Sequence, residues 1–159
     1  MKKPTLRYWD SSVFIAWLTP EEDRAQLCKG VISAAEAGSI QIVTSAVTLI
    51  EVIRLKNSKG LDADRRGEIT DFFQQDYLAI RNVEPFLAEQ ARQLIWTYGL
   101  HWKDATHVAT ALKHGVSRMD SFDEDLIGKS FDGRLTIGKP DLPFVEQTRL
   151  DIEGDAGTS

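Results

Sequence analysis

The chain has 159 residues, 42% of them hydrophobic and 27% charged, with a formal net charge of −5. This is enough for one domain with a real core, and no apolar run approaches the roughly 20 residues that span a bilayer. The acidic balance argues against a protein that coats nucleic acid by charge alone. Cys28 is the sole cysteine, so no disulfide can close within one chain. The basic start, Met1-Lys2-Lys3, is followed by only a short apolar stretch broken at Asp10, which is not a signal-peptide pattern. Together these features point to the cytoplasm.

In chain order, Leu6–Trp9 reads as a strand closed by Asp10. Ser11 or Ser12 offers an N-cap for a short helix over Val13–Leu18. Glu21–Ala37 reads as a second helix, with acids in its first turn and Gly38 beyond its end. Ile40–Val43 is a strand; Thr44 and Ser45 are cap candidates for a helix to about Asn57, stopped by Asn57-Ser58-Lys59-Gly60. Asp62–Gln75 is amphipathic, with Ile69, Phe72 and Phe73 on its apolar face. Tyr77–Ile80 is a third strand, and Pro85 opens a helix continuing through Phe86–Trp96. Asp104–His114 is helical, with Gly115 as its left-handed stop. Val116–Met119 is a fourth strand, Asp123–Ile127 a short helix or turn, and Leu135–Ile137 a fifth strand at an edge. Periodicity ends near Glu146, so one domain over 1–145 is expected, then a mobile tail over 146–159. Strands alternating with helices argue for an α/β fold on a mainly parallel sheet of four to five strands.

Four acids stand where a folding sequence would favour something else. Asp10 follows a strand, at the edge where open α/β sheets bind ligands; as a bland alternative it caps the next helix. Glu51 interrupts the apolar run 45–55, where an unpaired buried carboxylate needs a cation or a strong donor. The alternative is a surface ion pair with Arg54, worth little. Asp104 opens a helix, either as its cap or as a ligand, and His107 shares its face as a possible supporting donor. Asp120, Asp123 and Asp125 crowd the loop after the fourth strand, opening on the same sheet edge as Asp10.

Other chemistries fit worse. The chain lacks Gly-x-x-x-x-Gly-Lys-Ser/Thr, Gly-x-Gly-x-x-Gly and Gly-x-Ser-x-Gly. One cysteine and three histidines do not make a common structural zinc site. A phospho-acceptor receiver domain needs a lysine after a late strand, and none follows Val116–Met119.

Four segments carry a resemblance: Trp9-Asp-Ser-Ser-Val-Phe-Ile15, Thr44-Ser-Ala-Val-Thr-Leu-Ile-Glu-Val52, Leu100 to Ala111, and Ser121-Phe-Asp-Glu-Asp-Leu126. In order and rough spacing they resemble the PIN-domain family, particularly VapC-like ribonuclease toxins of toxin–antitoxin pairs, over about residues 5–140. The resemblance implies a three-layer α/β/α fold. It implies Asp10, Glu51 and Asp104 as core acids, Asp123 as the fourth and Asp125 as auxiliary, with Asp10 and Asp104 the first choices for direct ligands. Ser11 or Ser12 would hydrogen-bond near a metal, and Ser121 is the small hydroxyl residue two before the fourth acid. Met119-Asp120 departs from the family pattern, which is more often apolar before that hydroxyl, and leaves the ligating loop acid open.

The resemblance further implies one or two Mg²⁺ or Mn²⁺ ions, an RNA substrate cut to a 5′-phosphate and a 3′-hydroxyl, a homodimer and an antitoxin over the acidic groove. Hard oxygen donors suit those ions. Crowded carboxylates are expected to hold protons more tightly until a cation reverses the repulsion. Arg54, Lys56, Lys59 and Lys103 flank the acidic segments and could hold RNA phosphates, and Trp102 could stack on an unpaired base. The competing expectation is a non-catalytic PIN-like module for interaction or nucleic-acid binding.

Overall fold

The computed structural model describes residues 2–19, 22–52 and 63–141. β1 (Thr5–Trp9) is the strand about which the rest is arranged. Its side chains alternate: Tyr8 belongs to one hydrophobic core and Trp9 to the other. After β1 come α1 (Ser11–Leu18), α2 (Glu22–Glu36), β2 (Ile40–Ser45), α3 (Val47–Glu51), α4 (Ala63–Phe72), β3 (Leu78–Arg81), α5 (Pro85–Tyr98) and α6 (Trp102–Lys113). The described chain closes with β4 (Arg118–Asp120), β5 (Ser130–Phe131) and β6 (Leu135–Gly138).

The six strands lie in the order β3-β2-β1-β4-β6-β5. All neighbours pair in parallel except β5 with β6. The chain leaves β1 on the β2 side and returns on the β4 side. The carboxyl ends of β1 and β4 therefore flank the place where strand order reverses, a natural ligand crevice. Tyr8 pairs with Met119 and Trp9 with Asp120, which sets Asp10 beside the end of β4.

Two cores sandwich the sheet. On one face Tyr8 and Val43 pack with Leu87 and Ala91 of α5 and with Ala105, Val108 and Ala109 of α6. On the other, Trp9 and Ile42 pack with Val13 and Phe14 of α1 and with Cys28, Val31 and Ile32 of α2, while Phe72 of α4 closes the edge. The small side chains of α6 let it lie close over the sheet. The architecture is the three-layer α/β/α arrangement, with a mostly parallel sheet.

Several local expectations need correction. The sheet has six strands, not four or five. Leu135–Gly138 is not an edge strand, because the two-residue β5 folds back antiparallel outside it. Of the two forms expected over Asp123–Ile127, a short helix or a turn, the structure has the turn, over residues 124–128. α3 ends at Glu51 rather than near Asn57: Val52 leaves helical geometry at φ −89° and ψ 60° and buries itself in the second core. Residues 53–62, including the proposed stop at 57–60, lie outside the described residues, as does the expected tail over 146–159. Gly115 adopts φ +70° after α6, as expected of its stop.

Candidate active site

Asp10 is held at the end of β1 by hydroxyls. It is the N-cap of α1, the role weighed for it as the bland alternative and also offered to Ser11 or Ser12, and its Oδ1 accepts the Val13 N–H at 3.4 Å. Ser12 Oγ donates to the same oxygen at 2.5 Å, and Ser121 Oγ donates to Oδ2 at 2.5 Å. Each serine in turn accepts a backbone N–H from the loop after β4, Ser12 from Phe122 and Ser121 from Asp123, both at 3.0 Å. Asp10 is thereby locked to that loop through neutral donors. Burial pushes its carboxyl above the usual range; the charge of His107 and the hydrogen bonds from Ser12, Ser121 and Val13 offset part of that.

Glu51 is the last residue of α3 and reaches two other elements. Its Oε2 accepts from Ser11 Oγ at 3.0 Å, and its Oε1 lies 2.8 Å from His107 Nε2. Burial alone would raise Glu51, but the hydrogen bond and charge of His107, helped by Ser11 and Lys103, leave it below the ordinary range. Crowding was expected to raise every acid of the group; for Glu51 the local donors reverse the sign.

Asp104 sits in the first turn of α6, where His101 rather than Asp104 is the N-cap. It is half-buried. Its carboxyl is pushed up by burial and then by the charges of Asp123 and Asp10, against smaller opposition from His107 and His101. Three carboxylates from three segments thus share one electrostatic field. Asp123 holds the loop with its own side chain, Oδ1 accepting the Asp125 N–H at 2.9 Å. Asp125 enters through that N–H, and its side chain is exposed.

Asp120 is not a loop acid. It ends β4, fully buried, and its carboxylate accepts from Arg7 Nε at 3.0 Å and from Trp9 Nε1 at 2.8 Å. It therefore belongs to the opposite face of the sheet from Tyr8. Burial raises it to about 6, with Arg7 and Arg118 opposing. The other open choice, between Asp123 and Asp125, favours Asp123 by its field on Asp104.

Tyr8 was missed. Its hydroxyl lies 2.6 Å from His107 Nδ1, and both side chains are buried. The usable signal was alternation: two residues before Asp10, Tyr8 shares its side of the strand. Lys103 lies near enough to Glu51 to lower it, and its ammonium sits 5.6 Å from the Trp102 ring centroid. Arg54, Lys56 and Lys59 lie outside the described residues.

Could these groups hold a metal? Asp10, Asp104, Asp123 and Glu51 offer only hard oxygens, which suit Mg²⁺ or Mn²⁺. The mutual repulsion that raises Asp104 is what a divalent charge would relieve. Among the described residues, however, no three His, Cys, Asp or Glu side chains already stand close enough to hold an ion. The donor chemistry fits; ligation requires the carboxylates to draw together.

A family model described as the PIN domain matches residues 7–131. The solved structure of Mycobacterium tuberculosis VapC20, a sarcin–ricin loop cleaving toxin, aligns with a TM-score of 0.61 at 20% identity, covering 75% of this chain and 91% of that one. VapBC2 from Rickettsia felis, bound to a DNA fragment from its promoter, gives 0.60 at 14% identity, covering 86% and 100%. A toxin–antitoxin complex from Klebsiella pneumoniae gives 0.53 at 22% identity, covering 86% and 99%. At these identities the three speak for the fold. No curated protein matches the sequence.

Proposed function

Because the chain belongs to the PIN-domain family, we propose that it is a metal-dependent endoribonuclease and the toxin of a toxin–antitoxin pair. One feature carries the reading: at the carboxyl edge of the sheet Asp10 and Asp123, from separate parts of the chain, lie near enough to Asp104 for their charges to raise its carboxyl. The structural neighbours supply the biological class, since they include a toxin that cleaves the sarcin–ricin loop and complexes of toxins with antitoxins.

In this reading Asp10, Asp104 and Asp123 hold one or two Mg²⁺ or Mn²⁺ ions, Glu51 completes the set through water and Asp125 is auxiliary. A bound ion would neutralise these acids, polarise the scissile phosphate and favour attack by water. Ser12 and Ser121 fix both oxygens of Asp10 in direction without neutralising it. His107 and Ser11 do the same for Glu51. Lys103 holds a phosphate away from the cut, and the half-exposed Trp102 stacks on an unpaired base.

The proposed partners are RNA, an antitoxin covering the acidic groove and a second copy of the chain. Phe86, Trp96 and Trp102 offer exposed apolar surface for protein contacts. No helix among the described residues is long and apolar enough to cross a membrane. We place the reaction in the cytoplasm, with the domain over 1–145 as its unit.

The test is RNA cleavage with Mg²⁺ or Mn²⁺, with and without chelator, by wild type and Asp10→Asn. The variant keeps the shape and removes the charge. We expect its rate to fall by on the order of a thousandfold, the scale for losing one preorganised charge interaction, and chelator to silence the wild type. Undiminished cleavage by the variant would refute the assignment. The second reading, a non-catalytic interaction module, has one observation in its favour: both Glu51 oxygens are already engaged by the protein.

A further inference from the structure

We propose that Tyr8 and His107 are positioning residues that hold Glu51 for turnover rather than for cation capture: Tyr8 sets the ring of His107, and His107 sets Glu51. The proposal rests on the ribonuclease reading above and deepens it.

The argument is an inventory of protons. Thr44 Oγ1 donates to the Trp9 carbonyl at 2.8 Å, and Thr110 Oγ1 donates to the Thr106 carbonyl at 2.7 Å. Each threonine has one hydroxyl proton, so neither has another for Tyr8. A 2.6 Å contact needs one proton between its atoms, and a neutral imidazole with its proton on Nε2 has none on Nδ1, so there the Tyr8 O–H supplies it. At the other end an ionised Glu51 can only accept, so the proton in the 2.8 Å contact belongs to His107 Nε2. In the neutral imidazole the chain of bonds therefore runs one way, Tyr8 to His107 to Glu51, and it fixes the ring angle.

Tyr8 and His107 are buried, so bulk water does not reach the bond between them. Ser11 occupies the second Glu51 oxygen at 3.0 Å. One protein donor per oxygen leaves each with a further lone pair. Glu51 is thus aimed in advance and can still accept from a water molecule. Asp10 differs: its donors come from its own cap and the facing loop, and behind them stand only backbone N–H groups of that loop, from Phe122 and Asp123. A histidine serving only to fill the core would not connect a fully buried tyrosine to a carboxylate at the site's rim.

The experiment compares Tyr8→Phe, His107→Gln and His107→Ala with wild type. Three readouts are taken: kcat and KM on RNA, Mn²⁺ affinity of the RNA-free protein by electron paramagnetic resonance, and the His107 tautomer by nitrogen NMR. We expect Tyr8→Phe to lower kcat about tenfold, with KM and Mn²⁺ affinity within about twofold, the pattern for a lost outer-sphere partner. Its His107 Nδ1 resonance should shift as the bond from Tyr8 is lost, while Nε2 keeps its proton toward Glu51. His107→Gln, which keeps an N–H near Glu51, should retain more kcat than His107→Ala. A Tyr8→Phe protein with wild-type kcat and only a lower melting temperature overturns the proposal. So does Mn²⁺ affinity that falls as far as kcat, since Glu51 would then serve capture. Should Tyr8→Phe not fold, the two His107 variants decide by the same criteria. If wild type proves inactive on RNA, the ribonuclease reading fails separately; the spectra still judge the relay, and an Nδ1 resonance unchanged by Tyr8→Phe refutes it.

Discussion

Asp10 and Asp120 end adjacent strands, are joined by a backbone hydrogen bond from Asp10 N–H to Asp120 O at 3.4 Å, and are both buried. Burial raises the proton affinity of each. Their partners differ. Asp120 meets the guanidinium of Arg7, with Arg118 and the Trp9 indole behind it. Asp10 meets two serine hydroxyls and one N–H. Hydroxyls orient a carboxylate without cancelling its charge, whereas a guanidinium does both. One acid is therefore neutralised as part of the fold, and the other is left with a charge that an outside cation can use. Two equally buried acids at one sheet edge can thus serve structure and chemistry, separated only by what faces them.

The comparison can be broken hardest at Arg7. Removing it strands Asp120 in a dry interior, so Arg7→Ala should destabilise the protein by about 3–5 kcal/mol in chemical denaturation. A loss under about 1 kcal/mol would mean the pair contributes as little as a surface one. The next effect is on pH. Folded Asp120 keeps its proton to about 6, whereas its ordinary value is 3.8. As pH rises between these values the unfolded chain gives up the proton first. The contribution is full below 3.8 and is lost by about 6. Wild-type stability relative to Asp120→Asn should therefore fall across that window, on the order of 3 kcal/mol. A flat difference would show that Arg7 fully offsets burial. The smallest effect is at Ser121. Ser121→Ala removes a bond that lowers Asp10, so it should raise the Asp10 pKa and cost about 1 kcal/mol of stability. Infrared titration of the Asp10 carboxyl checks the direction; a lower pKa would contradict the role given to the hydroxyl.

Much of the fold was legible because it is local. The alternation of strand and helix patterns, Pro85 at the head of α5 and Gly115 after α6 are each set by nearby residues. The two-residue β5 was not, since its pairing with β6 depends on a tight return rather than on an apolar run. Glu51 looked mid-helix because the apolar pattern continues to Leu55; burial of Val52 turns the chain out instead. At the site, the acids could be picked out by position, but their partners could not. Asp120 is distinguished from Asp123 by Arg7, 113 positions away, and Tyr8 meets His107 across 99 positions. No window of sequence contains such a pair.

The most direct measurement is Mn²⁺ binding to the RNA-free protein by calorimetry, comparing wild type, Asp10→Asn and Asp120→Asn. Saturable binding by wild type, lost in Asp10→Asn and kept in folded Asp120→Asn, is the predicted result. Equal affinity in wild type and Asp10→Asn would contradict the claim that Asp10 reserves its charge for a cation.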